Sequence, residues 1–227
     1  MLAIIQARSS SRRLPRKALM QINSTPLIGW TIKRLQQSQL VSKIVVATSD
    51  STDDDDLANY VEKLNIGVYR GCLEDVVTRF LNVIELFRVD AFVRVCGDSP
   101  LIDPKLIDHA IALYTRQNCD LVTNVFPRTF PKGQSVEVIY SQAFIDAWRR
   151  NPLDLSREHI TEIFYRNPSN FKIINFSNKD DLSAVQLSVD TLQDFKMILQ
   201  IASFAGYRTA SWEELVQILE ICRGNTT

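Results

Sequence analysis

Common metal ligands and disulfide partners are scarce in this chain. Its two histidines, His109 and His159, lie far apart, so a histidine-based metal site is not expected. Its four cysteines, Cys72, Cys96, Cys119 and Cys222, are widely spaced with no C-x-x-C pair, which argues against a disulfide framework and against a zinc site. Cys96 sits in an apolar run and reads as a small core residue. Net charge is missing too, since 26 basic and 26 acidic residues cancel. No overall field points to nucleic acid or to an anionic membrane, so any basic site must be local. No segment has the apolar length needed to cross a bilayer. The first residues lack the apolar core of a secretory leader, and the expectation is a cytoplasmic protein. The P-loop, the G-x-S-x-G elbow, H-E-x-x-H and the protein-kinase set are all absent.

What is present is an ordinary soluble composition, 45% hydrophobic and 23% charged over 227 residues, which suits one domain spanning 1–227. The first half alternates. LAIIQA, SKIVVATS, GVYRG, DAFVRVCG and CDLVTNV read as strands. Between them, TPLIGWTIKRLQQS, STDDDDLANYVEKLN, LEDVVTRFLNVIELF and PKLIDHAIALYTRQ read as helices, the first with Thr25 as N-cap and Pro26 in its first turn. That alternation predicts an α/β fold, a mostly parallel sheet flanked by helices. After about residue 125 the pattern changes. SVEVIY, FKIINFS and AVQLSVD read as strands, and SQAFIDAWRRN, SREHITEIFYRNP and two closing segments as helices. A mixed or antiparallel portion is expected there, with a lid-like insertion over about 125–180.

The first strand runs straight into ARSSSRRLPRK, where Arg8, Arg12, Arg13, Arg16 and Lys17 place five cations in ten residues. Ligands of parallel α/β sheets bind at the carboxyl ends of strands. Serines, backbone N–H groups, the arginine fork and lysine all suit phosphate oxygens. A polyanion site is therefore expected in this loop. Asp98 falls where the fourth strand of the alternation ends, in the same crevice, and suits Mg²⁺, which takes one or two carboxylates plus phosphate oxygens. Asp190 ends the run LSVD and could share that ion. Asp103, before Pro104, reads as a helix N-cap. Asp194 and the acidic run TDDDDL read as solvated helix starts.

IIQARSSSRRLPRKAL resembles the opening signature of bacterial cytidylyltransferases, A-R-x-x-S-x-R-L-P-x-K-x-L, here Ala7, Arg8, Ser11, Arg13, Leu14, Pro15, Lys17 and Leu19. CMP-Kdo synthetases and, more loosely, CMP-acylneuraminate synthetases share it. VVATSD, EDVVTRF, VRVCGDSPLIDP, TNVFPRTFPKGQSVEV, REHIT and LSVDT follow in the order of the spore-coat-polysaccharide (SpsF-like) branch and span most of the chain. The resemblance implies a nucleotide-diphospho-sugar-transferase-like fold and transfer of CMP from CTP to a sugar acid, with Mg²⁺ required. It also suggests a homodimer. Ala7, Arg8, Ser11, Arg13, Lys17 and Arg70 would hold the nucleotide, with Arg8, Lys17 and Asp98 at the chemistry and Asp98 and Asp190 on the metal. Asn124, Gly133, Glu137, Glu158 and His159 would line the base or acceptor side.

Three positions depart from the branch. Ser10 and Arg16 stand where it usually has glycine, and Ser135 where it usually has aspartate. Glycine after Leu-Pro would allow a type II turn, which arginine disfavours, leaving a type I turn open. Ser135 puts the acceptor in question. Another nucleotide, a sugar-phosphate acceptor and a non-catalytic nucleotide-binding partner remain open, and a glycosyltransferase ranks below them.

Overall fold

Runs rich in Val and Ile suit a buried, pleated surface. The computed structural model, which describes residues 1–150 and 157–224, sets them side by side. β1 (Leu2–Gln6) is followed by a small hairpin, β2 (Gln21–Ile22) and β3 (Thr25–Pro26), and by α1 (Leu27–Leu35). β4 (Lys43–Ser49) leads to α2 (Asp55–Lys63), β5 (Gly67–Gly71) to α3 (Val76–Phe87), and β6 (Ala91–Cys96) to α4 (Pro104–Arg116). Then come β7 (Leu121–Thr123), β8 (Glu137–Tyr140), α5 (Ser141–Arg150), α6 (Glu162–Arg166), β9 (Ile173–Asn175), α7 (Leu192–Ile201) and α8 (Trp212–Gly224).

Seven strands form one sheet in the order β5-β4-β1-β6-β8-β7-β9. β5, β4, β1 and β6 are mutually parallel, β8 is antiparallel to both of its neighbours, and β7 and β9 are parallel. The sheet is thus mostly parallel with a mixed portion, as the alternation predicts, and β8 and β9 of the 125–180 region are strands of this main sheet. Strand side chains alternate between faces. Ala3 and Ile5 join one core with α1, α2, α4, α7 and α8, while Leu2 and Ile4 join a second with α3, α5 and α6. No helix among the described residues is long and apolar enough to cross a membrane.

Several local expectations are corrected. AVQLSVD is not a strand and makes only an isolated bridge, Lys132 to Gln186. Its partner segment holds Pro131, which cannot donate to a ladder, and Gly133 at φ +94. A Cβ at Gly133 would stand 2.6 Å from the backbone of Leu187, so only glycine permits this crossing. Thr25 does not cap α1: it pairs with Ile22 in β3, and Pro26 stands one position earlier than expected, as the N-cap residue and not in the first turn. Asp194 is no free solvated carboxylate: it accepts from Thr191 N at 2.8 Å and Asp190 N at 3.0 Å in a capping box that starts α7. Within SREHITEIFYRNP, α6 covers only Glu162–Arg166. Its expected first residue, Ser156, and the expected end of the preceding helix at Asn151 lie outside the described residues.

Candidate active site

β1 and β6 end level with one another, Gln6 beside Cys96, while β4 passes Gln6 at Ala47 and runs two residues further to Ser49. The chain leaves β1 through Ala7 into the basic loop. Gly97 follows β6, and its N–H donates to Gln6 O at 2.8 Å. A Cβ there would stand 2.8 Å from that of Ala7, so glycine is what lets the loop and the β6–α4 turn touch. The next residue, Asp98, accepts from Val189 N through its carbonyl at 2.9 Å, which brings Asp190 to the same point.

Lys17 is the centre of the result. Its ammonium donates to Asp98 Oδ2 at 3.0 Å, Asp190 Oδ1 at 3.3 Å and Val189 O at 2.6 Å. Arg13 donates to Asp190 Oδ1 at 2.8 Å, and Arg8 pairs with Glu158. A cleft of about 710 Å³ opens over these groups and is lined also by Ser10, Ser11, Arg79, Arg94 and His159. A groove of about 800 Å³ between α3 and α5 holds none of the expected site residues.

The loop's charges are largely answered from within. Arg8, Arg13, Arg16 and Lys17 each have a carboxylate partner, Arg16 meeting Asp56 at 2.5 Å. Among the described residues, Arg12 is the one loop cation without an ion pair. The density of cations therefore does not by itself demand a bound anion. A stronger pointer is the hydroxyl of Ser10, which is buried at the cleft wall without a hydrogen-bond partner among the described residues. Two hard carboxylates converging on one cation also form a donor set that fits Mg²⁺. No group of three or more His, Cys, Asp or Glu suited to a metal occurs among the described residues, so such an ion would need ligand oxygens as well.

The turn at Arg16 is not type I. Arg16 keeps the left-handed backbone expected of glycine, φ 59 and ψ 18, and Lys17 N closes on Leu14 O at 3.3 Å. With Pro15 at the first central position this is the type II pattern. The reason lies one bond away: Arg16 N donates to Ser9 O at 2.8 Å, and this contact folds the loop back on itself.

TDDDDL is not merely a solvated helix start. Asp54 is buried and accepts from Ser9 N at 2.6 Å and Ser49 N at 3.2 Å, fastening the loop to the end of β4. Burial alone would raise its pKa, yet hydrogen bonds from Ser49 and Ser9 outweigh that and hold it below the usual carboxylate range. Cys96 is not a core residue either, though its thiol is held protonated. It lines the cleft, and burial pushes its thiol up to about 11 against the pull of Arg94.

Other expected residues lie elsewhere. Arg70 donates to Ser49 O at 3.0 Å and Ser51 O at 2.8 Å and pairs with Asp55, on the outside of the β4–β5 edge and off the cleft wall. Asn124 is buried and bridges Gln134 O and Val136 N at 2.7 and 2.9 Å, which shapes the 125–136 loop. Gly133 packs on Leu187 and Ser188. Ser135 accepts from Arg128 at 3.0 Å. Glu137 is buried and binds Arg94 at 2.7 Å and the hydroxyl of Tyr165; Arg94 in turn reaches Gln6 and the cleft.

Arg79 and Arg94 were missed as cleft residues. Both carry a signal in the sequence: Arg94 interrupts the apolar strand AFVRVC, and Arg79 falls on the apolar face of VVTRFLNVI. A charge where the period demands an apolar residue is the mark of a site.

Comparison with known proteins places the chain in a family. A family model described as cytidylyltransferase matches residues 2–223. The chain is 33% identical over 226 residues to the spore coat polysaccharide biosynthesis protein SpsF of Bacillus subtilis, covering 96% of this chain and 93% of that one. It is 30% identical over 178 residues to 3-deoxy-manno-octulosonate cytidylyltransferase of Chlorobium phaeobacteroides, covering 72% and 69%. Among solved structures, a cytidylyltransferase from Leptospira borgpetersenii superposes with TM-score 0.91 at 29% identity, over 98% of this chain and 95% of that one. A CMP:2-keto-3-deoxy-manno-octonic acid synthetase complexed with CTP shares the fold, with TM-score 0.70 at 17% identity over 89% and 98%.

Proposed function

The chain belongs to the cytidylyltransferase family, and from that premise we propose that it transfers CMP from CTP to a sugar acid, releasing pyrophosphate, in the making of a surface polysaccharide or glycan precursor. The observation that carries the reading is the convergence of Lys17, Asp98 and Asp190 at the strand ends beneath a loop of arginines.

The acceptor hydroxyl attacks the α-phosphorus of CTP, and negative charge grows on the departing pyrophosphate. Lys17 exchanges an internal carboxylate for phosphate oxygens. Arg8 and Arg13 add charge along the loop, and the unpartnered Ser10 hydroxyl donates to a phosphoryl oxygen. Such groups act where charge develops, which is the largest lever in this kind of chemistry. Asp98 and Asp190 would hold Mg²⁺, which neutralises and orients the phosphates when bound. Arg94, fixed by Glu137 and Gln6, presents a cation to the cleft on the acceptor side.

Pyrophosphate release with CTP, Mg²⁺ and a panel of sugar acids tests the reading. Release that depends on one sugar acid supports it. Release with a sugar phosphate alone would change the acceptor class, and CTP binding with no release on any acceptor would leave a nucleotide-binding protein without this activity.

A further inference from the structure

Resting on that reading, we infer that Arg79 is the residue that recognises the keto edge of the pyrimidine base. Arg79 is 1% exposed and lies on the core-facing side of α3 beside Phe80. Its guanidinium is poorly satisfied. Nη1 reaches Ala47 O at 3.4 Å, Nη2 reaches Leu73 O at 3.5 Å, and Nε, buried, has no partner.

The two carboxylates nearest in electrostatic terms are occupied elsewhere. Asp54 is taken by Ser9 and Ser49, and Asp75 by Thr78 and by Arg157 at 2.8 Å. Arg8 adds like charge. Burial first, and Arg8 second, lower the pKa of Arg79 against the partial support of Asp54, Cys72 and Asp75. A buried cation in this condition is costly to a fold, and an apolar residue of the same size would be cheaper. Arg79 also forms part of the cleft wall. The missing partner therefore arrives with a ligand.

Position selects which part of the ligand. β4 and β6 flank β1 on opposite sides. Lys17 and Asp98 stand at the β6 side, where the triphosphate is proposed to bind. Arg79 reaches the carbonyl of Ala47 in β4, level with the end of β1, and Arg79 and Leu73 line the cleft on that other side. A nucleotide anchored by its phosphates extends its base toward β4. Cytosine offers a keto oxygen and an adjacent ring nitrogen as acceptors, which match the fork of a guanidinium.

Calorimetric titration with CTP and with tripolyphosphate, each with Mg²⁺, separates the base from the phosphates. Arg79→Met is expected to weaken CTP tenfold or more, leave tripolyphosphate within twofold of wild type, and leave the Tm of the ligand-free protein equal or higher. Arg79→Lys, which keeps the charge without the fork, is expected to weaken CTP as well. Unchanged CTP affinity in both variants overturns the inference, as does a matching loss for tripolyphosphate, which would assign Arg79 to the phosphates. A lower Tm with CTP affinity retained would make it a structural residue. The wild-type titration tests the underlying reading separately, since no binding of CTP there removes both.

Discussion

Two charged clusters flank the end of β6, and they follow opposite rules. In the first, the side chains of Lys17, Asp98 and Asp190 are 13%, 27% and 30% exposed, so water reaches every member. In the second, Arg94 is 15% exposed at the cleft but Glu137 only 2%, and both of the carboxylate's oxygens are engaged, one by Arg94 and one by Tyr165, which Thr123 meets at 2.9 Å; the dry member is the carboxylate. Burial, then Glu137, pushes the Tyr165 phenol well above its ordinary range. A wet cluster can trade internal partners for ligand oxygens at little cost. A dry one cannot release a partner without stranding a charge. The comparison separates carboxylates that can trade their partners for a ligand from one, Glu137, that holds Arg94 in place at the cleft.

The largest expected effect breaks the dry cluster. Glu137→Gln keeps the shape and removes the charge, leaving Arg94 uncompensated. Loss of one partner from a buried pair costs about 3–5 kcal/mol, so urea unfolding should show a drop of that size. A drop below about 1 kcal/mol, the scale of exposed pairs, would erase the distinction between the clusters. Next comes the wet cluster. Lys17→Ala should lower the rate of pyrophosphate release by about 10²–10³, the effect of removing one contact to developing charge, while Tm changes little because both aspartates rehydrate. Near-normal turnover would show that Lys17 serves structure and not chemistry.

The same contrast explains what the sequence makes legible. Short unbroken apolar runs between amphipathic segments announce the parallel strands and the crossover helices, because a strand buried on both faces is apolar throughout. The wet cluster is legible too: Lys17 and Asp98 are polar residues just past strand ends, where the fold puts ligands. The dry cluster is not. Glu137 and Tyr165 meet across β8 and α6, and nothing local in either segment specifies that meeting. Arg70 shows the converse: its placement is not legible either. A cation at a strand end looks like a ligand residue, but Asp55 and two carbonyls are near enough to claim it. AVQLSVD carries the strand period without a straight partner to pair with, so the period misleads there.

Asp54 sharpens the comparison, because it is a dry charge placed under the wet loop. Its carboxylate is held below the ordinary value by hydrogen bonds from Ser49 and Ser9 that outweigh burial. A depressed folded pKa means that the stability it contributes is present above the unfolded value and is lost as pH falls through the folded one. The window is therefore acidic, below about pH 4. Asp54→Asn should lower stability at neutral pH by about 1–3 kcal/mol, the cost of leaving buried donors poorly satisfied, and should flatten the acid limb of the wild-type curve. Parallel curves for the two proteins would mean that other carboxylates govern acid unfolding. If dry charges only frame the site, CTP affinity should fall in this variant because the loop loses its anchor at Ser9, with tripolyphosphate falling alongside.

The smallest effect concerns the turn that shapes the loop. Arg16 holds φ 59 without being glycine. A side chain in that region costs about 1–2 kcal/mol, whereas glycine carries an added entropy cost of about 0.5–1 kcal/mol on folding. The exposed pair with Asp56 returns about 0–1 kcal/mol at most. Arg16→Gly should therefore change stability by less than about 1 kcal/mol, in the stabilising direction once salt screens the pair. Its turnover should stay close to wild type, since Arg16 is outside the cleft wall and the backbone of the turn is preserved. A large loss of activity would place Arg16 among the wet charges that meet substrate, and the surplus cation at a glycine position would then be part of the site.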